Sequence, residues 1–225
     1  NRNLGYIVKN NIIKNSILKK LKLNKAVKLV ENKTLKKISQ NINSVILEFN
    51  SLKITTSLLI AADGKNSFIR KFLNTKIYKK NYNHKAIVIN FNHTKSHDNI
   101  AHELFYNSGP LAILPMQNKN KNIFSSSVIW SNKPEYINSL VNINRKLLST
   151  VLEEKIFSYV GDLMGIFDVQ SFPLSAHINY KFYENRTIYI GDAAHSIHPI
   201  AGQGWNLGVR DIQNCYNVIK NNNNN

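Results

Sequence analysis

The chain has 225 residues, 43% of them hydrophobic and 19% charged, which is apolar enough for a sizeable core and too weakly charged for a disordered polyelectrolyte. Thirty Lys and Arg outweigh 13 Asp and Glu for a net charge of +17. No apolar run approaches the roughly 20 residues that cross a bilayer, and a single cysteine, Cys215, excludes both an internal disulfide and a cysteine-built zinc site.

The basic excess is mostly Lys and is accompanied by abundant Asn and Ile, a trio that an AT-rich coding sequence yields without selection for charge. The lysines are scattered. The nearest approaches to clusters, 14–25 and 76–80, do not interleave aromatics as a single-strand groove does, so nucleic acid is not an expected partner. Weak attraction to an anionic bilayer surface is expected, at about 1 kcal/mol per surface Lys. The opening NRNLGYIVKN lacks a charged-then-apolar leader, and with the lone cysteine it suits a cytoplasmic protein, peripheral to the inner membrane if lipid is met.

In chain order, residues 10–23 place Ile12, Ile13, Ile17, Leu18 and Leu21 on one helical face. Residues 44–50 and 52–63 read as a hairpin turning at Asn50-Ser51, its second strand ending at Asp63-Gly64. Ser67 then caps a short helix over 67–73. From 84 to 131 four strands alternate with polar turns and predict an antiparallel sheet. The spacing of Leu147, Leu148, Val151, Leu152, Ile156, Phe157 and Val160 predicts a helix over 144–161 stopped by Gly161. Residues 167–178 form a strand in which Pro173 argues for an edge or bulge, 186–195 a short buried strand, and 202–220 a helix opened by glycines. Residues 221–225 are poly-Asn and specify no fold. The change of pattern divides the chain at 1–75, 76–164 and 165–220, as one domain inserted into another would.

Chemistry concentrates in IYIGDAAHSIHPIAGQGWNLGVRD (188–211). A buried strand stops at Gly191-Asp192, so a carboxylate projects from the carboxyl end of a sheet, where ligands bind in open α/β folds. Farther on, Gly202-Gln203-Gly204 opens a helix whose free N–H groups and dipole favour negative charge. Seven histidines raise a metal alternative, but His93 and His97 fall in a turn without a third ligand at convincing spacing, and no metal is expected.

The stretch GDAAHSIHPIAGQGWNLGVRD resembles the second flavin motif of the FAD-dependent aromatic hydroxylases, and LLIAADGKNSFIR (58–70) resembles their Asp-Gly motif. NLGYIVKN and AHELFYNSGPLAILPM (101–116) are similar to the ubiquinone-biosynthesis hydroxylases, closest to the group acting on 2-octaprenyl-6-methoxyphenol. The resemblance implies an α/β fold with an α+β insertion: a Rossmann-like FAD domain, here without its first strand and GxGxxG turn, interrupted by an antiparallel-sheet substrate domain. It reads as an internal piece of a longer flavoprotein, inactive alone. It further implies FAD contacts from Asp63, Gly64, Gly191, Asp192, Pro199, Gly202, Gln203, Gly204 and Asn206, with Arg70 pairing a phosphate or carboxylate. His195 and His198 are candidates for proton traffic, with a structural role as the alternative. Phe105, Tyr106, Leu111, Ile113 and Leu114 are candidates to line a ring pocket, sheet core being the alternative for at least half. Leu104 stands where the related motif usually has Arg, and Trp205 where Phe is common. In such enzymes NAD(P)H reduces FAD, dioxygen adds to the reduced flavin, and the hydroperoxide hydroxylates a polyprenylated phenol. The alternatives are a soluble aromatic hydroxylase of the same superfamily, or a non-catalytic scaffold in a quinone-synthesis complex.

Overall fold

The computed structural model describes residues 4–118, 123–198 and 202–222. Along it run α1 (Asn10–Leu23), β1 (Leu35–Gln40), β2 (Val45–Phe49), β3 (Lys53–Thr56), β4 (Leu59–Ala61), α2 (Phe68–Phe72), β5 (Ile77–His93), β6 (His102–Tyr106), β7 (Gly109–Met116) and β8 (Phe124–Asn132). There follow α3 (Pro134–Asn142), α4 (Arg145–Val160), β9 (Leu163–Asn179), β10 (Tyr183–Glu184), β11 (Thr187–Tyr189), a 3-10 turn at Gly191–Ala193, β12 (His195–Ser196) and α5 (Gln203–Asn222). Two compact units result, one of the residues up to Leu29 with Asn83–Pro173, the other of Val30–Tyr82 with Leu174 onward. The changes of unit therefore fall at 82/83 and 173/174 rather than at 75/76 and 164/165, because they lie inside β5 and β9, each 17 residues long. The residues up to Leu29 also group with the sheet unit, not with the segment that follows them.

In the first unit β5, β8, β7 and β6 pair antiparallel in that order. The period of two sends Ile87, Ile89 and Phe91, Leu111 and Ile113, and Val128 and Trp130 to one face. There they pack against Ile137 and Leu140 of α3 and Leu148, Leu152, Ile156 and Val160 of α4. Each such side chain contributes about 1.5–3 kcal/mol by leaving water. The α4 stripe is narrower than its spacing predicts, since Leu147 and Phe157 stay more than half exposed. Asn144 caps α4 by accepting from Leu147 N at 2.9 Å, and Gly161 ends it. Helix α3 was not expected from the sequence, although Pro134 at its first position is a start signal. The opposite face of the sheet carries Val88, Ala112, Leu114 and Ile129, each half-buried.

His93 is not in a turn. It is the last residue of β5 and fully buried. Its Nδ1–H donates to the carbonyls of Lys95 and Val160, which leaves Nε2 to accept from the Ser126 hydroxyl. Burial lowers its pKa, so it stands neutral as a tie between strand and helix end.

In the second unit β1, β2 and β3 form an antiparallel meander. β1 escaped the sequence reading because a register shift between Leu35 and Lys37 breaks its alternation. The strand expected over 52–63 is two strands. β3 stays in the meander, whereas β4 pairs parallel with β11 in a second sheet of order β10-β11-β4. Pro173 lies inside β9, upstream of the residues that pair with β12. Helix α2 starts where expected: the buried Ser67 Oγ accepts from Arg70 N at 3.0 Å. Ser67→Ala is expected to cost about 1 kcal/mol, read as a lower urea midpoint.

Candidate functional site

The site grows from the parallel pair β4 and β11. β11 ends at Tyr189, buried, its hydroxyl 2.7 Å from Thr75 Oγ1. Two residues later the chain turns at Gly191, whose φ of +56° favours glycine. The turn is clamped from α5, because Asp211 Oδ2 accepts from Gly191 N at 2.8 Å and from His195 Nε2 at 2.9 Å. One carboxylate oxygen thus holds the turn and the residue that leaves it.

From the other side comes Arg70, 6% exposed. Its guanidinium donates to the carbonyls of Ala193 (2.9 Å) and Lys65 (2.6 Å) and to His177 Nε2 (2.9 Å). Among the described residues the hydrogen-bond partners of Arg70 are two carbonyls and an imidazole, not the neighbouring carboxylate that was one of the expected alternatives. Burial lowers the Arg70 pKa while Asp63 opposes the shift. Because guanidinium only donates, His177 Nε2 must accept, so the proton sits on Nδ1 and is given to Ser196 Oγ at 2.9 Å. Burial first, and then Arg70 and Lys65, lower the pKa of His177. Asn179, also buried, donates through Nδ2 to Ala193 O, leaving Oδ1 with no donor among the described residues. Lys65 donates to Ser175 O, and its pKa is lowered by burial against the opposing pull of Asp192.

The expected site residues fall into three groups. Gly191, Asp192, His195 and the first turn of α5 with Gln203, Gly204 and Asn206 stand in the second unit, Asp192 exposed at the turn and Gly202 just ahead of the helix. No acidic residue occupies the first turn of α5, so its dipole is not neutralised locally. Asp63 caps α2, its Oδ2 accepting from Phe68 N (2.7 Å) and Ile69 N (3.1 Å), and Gly64 shapes the bend before it. His198 is half-buried, its ring edge-on to Tyr82. Pro199 lies outside the described residues.

The pocket candidates belong to the sheet unit and divide between its faces. Leu111 and Ile113 are core, packed on α3 and α4, and cannot line a pocket on the other face. Leu104, paired with Leu111, packs against the same core. Tyr106 shares that face, with Lys155 of α4 over its ring. Leu114 and the exposed Phe105 point the other way, beside Ala112 and Pro110. The sequence reading missed the roles of His177, Asn179 and Asp211. His177 and Asn179 had a signal, two polar residues one strand period apart before a turn.

A parallel strand pair ending in a Gly-Asp turn, a helix with an open glycine N-terminus and a separate antiparallel-sheet unit define the aromatic-hydroxylase type of flavoprotein fold. The likeness to solved structures supports that class: a probable FAD-dependent monooxygenase of Pseudomonas aeruginosa, pqsL, superposes with a TM-score of 0.69 at 16% identity over 88% of this chain and 56% of its own. The chain belongs to the FAD binding domain family, whose model matches residues 30–221. Among curated relatives it is 28% identical to the ubiquinone hydroxylase UbiL of Rhodospirillum rubrum over 93% of this chain and 48% of that protein. It is 29% identical to the ubiquinone hydroxylase UbiM of Neisseria meningitidis over 92% and 44% respectively. The chain spans about half the length of these relatives.

The residues present fit the flavin end of FAD. Among the described residues a Cβ added at Gly202 or Gly204 meets nothing within 4 Å; the φ of +64° favours glycine at Gly202, whereas Gly204 has no such reason and leaves room for a flat ligand beside the helix start. Beside the turn, Asn179 Oδ1 is a buried acceptor that ligand hydroxyls suit. No glycine-rich pyrophosphate turn of the GxGxxG type occurs in these 225 residues. No helix among the described residues is long and apolar enough to cross a membrane.

Proposed function

We propose that the protein is an FAD-dependent monooxygenase that hydroxylates the ring of a polyprenylated phenol in ubiquinone biosynthesis, with NAD(P)H as electron donor. The observation that carries the reading is the Gly-Asp turn clamped by Asp211 of a helix that opens on glycines, in a chain similar to ubiquinone hydroxylases. When bound, FAD supplies the redox chemistry that places one atom of dioxygen on an electron-rich ring.

The chain's own residues bind and orient. Asp192 accepts from hydroxyls of the ribityl chain. The amides at Gly202, Gln203, Gly204 and Asn206 stabilise negative charge on the pyrimidine edge of the ring. The half-buried sheet face with Val88, Ala112, Leu114 and Ile129 offers apolar contact to the phenol and keeps water from it. A prenyl tail and the excess of Lys support peripheral contact with an anionic membrane, and membership of a quinone-synthesis complex accords with such a substrate.

Gly204→Val tests the cofactor site in the full protein. A Cβ added there meets nothing within 4 Å, so the urea midpoint is expected to stay near wild type while bound flavin absorbance is lost and prenylated-phenol hydroxylation with it. Wild-type protein that takes up no FAD, or hydroxylates no prenylated phenol, overturns the reading.

A further inference from the structure

The Arg70–His177–Ser196 chain is used by neither α2 nor the sheet to close its own hydrogen bonds. Arg70 stands on α2, His177 on β9 and Ser196 on β12, and the three meet behind the Gly191–Ala193 turn. Ser196 and His177 are register partners across β12 and β9, so the ring is fixed from its own strand pair. Arg70 is a buried cation with no carboxylate among its hydrogen-bond partners, a costly arrangement tolerated only if every N–H finds an acceptor. His177 Nε2 is one of those acceptors, and only the neutral ring can supply it. A proton there would set a donor against the guanidinium at 2.9 Å and place two like charges in contact.

We propose that His177 is a positioning residue whose neutral imidazole latches Arg70 under the Ala193 carbonyl, so that the Gly191–Ala193 turn keeps the shape that receives FAD, and that protonating His177 opens the latch. The flavin part of this inference rests on the proposed function. The charged groups facing the ring are Arg70 from α2, Lys65 from the segment before it and Asp192 from the turn; both cations disfavour the imidazolium, and Asp192 opposes them weakly. The folded pKa lies below the ordinary 6.5, so the latch is fully closed above pH 6.5 and opens as pH falls through the range below it.

Two variants of the full protein test this. In His177→Gln an amide oxygen accepts from Arg70 and an amide N–H donates to Ser196, without titration. His177→Leu fills the space and removes the acceptor. Flavin fluorescence on titrating apoprotein with FAD should show a wild-type Kd that is flat above pH 6.5 and rises in acid. The Kd of His177→Gln should be close to wild type at pH 8 and lack that acid rise, and that of His177→Leu at least about tenfold weaker at pH 8. The apoprotein gives a readout free of flavin: the thermal midpoint of His177→Gln should draw ahead of wild type as pH falls below 6.5. A His177→Leu protein that binds FAD as wild type does, or parallel pH curves for wild type and His177→Gln, would overturn the latch. Wild-type protein that binds no FAD at any pH overturns the proposed function instead, and the apoprotein midpoints then decide the latch alone.

Discussion

Gly109→Ala is expected to prevent the sheet unit from folding. Gly109 opens β7 opposite Tyr106 with a φ of +133°, a conformation L side chains rarely adopt. A Cβ there would lie 2.2 Å from Ser131 O and 2.9 Å from Ser131 C. Both are backbone atoms of β8, so relief requires parting β7 from β8, the ladder that sets Leu111 against Trp130 in the core. Strain and lost pairing together cost more than about 4 kcal/mol, a large share of the roughly 5–15 kcal/mol that holds a domain folded. Gly204→Ala, where the same methyl meets open space, is the control. Circular dichroism and urea unfolding should show a cooperative transition for the control and none near its midpoint for Gly109→Ala; coincident curves would refute the argument.

Asp211→Ala should release the Gly191–Ala193 turn. Its carboxylate accepts from Gly191 N and His195 Nε2, and charge-assisted bonds of this kind contribute roughly 1.5–3 kcal/mol each. The group is about a quarter exposed, so the expected loss is near the lower end, about 3 kcal/mol in all. FAD affinity should fall about a hundredfold, since part of that energy is what holds the turn in its receiving shape. Asp211→Asn keeps an acceptor for Gly191 N–H and should fall between wild type and alanine. The urea midpoint and the FAD Kd measure the two effects separately. An alanine variant that binds FAD like wild type would show that α5 does not set the turn.

The flavin motif was legible because its residues sit consecutively, and a strand, a Gly-Asp stop and a Gly-x-Gly helix start are local patterns. Ser67 was legible as a helix-cap signal for the same reason, bonding within its own first turn. Arg70 shows the limit. Its place after the Asp-Gly motif was plain, but the bonds of its guanidinium to Ala193, far along the chain, and to His177 were not. Leu111 and Leu114 are equally apolar in sequence, yet they face opposite sides of β7, and only the packing of α3 and α4 decides which side is core.

By itself the sequence determined the elements whose causes are short-range: periodic apolar faces, caps, glycine stops and the family to which the motifs belong. The tertiary structure decided where the strand expected over 52–63 divides between two sheets, which carboxylate clamps the turn, and which groups surround the Arg70 guanidinium. Those outcomes depend on which groups distant in sequence the assembled fold brings within hydrogen-bond reach. Hydrogen-bond satisfaction is a property of the assembled chain, and no window of neighbouring residues contains it.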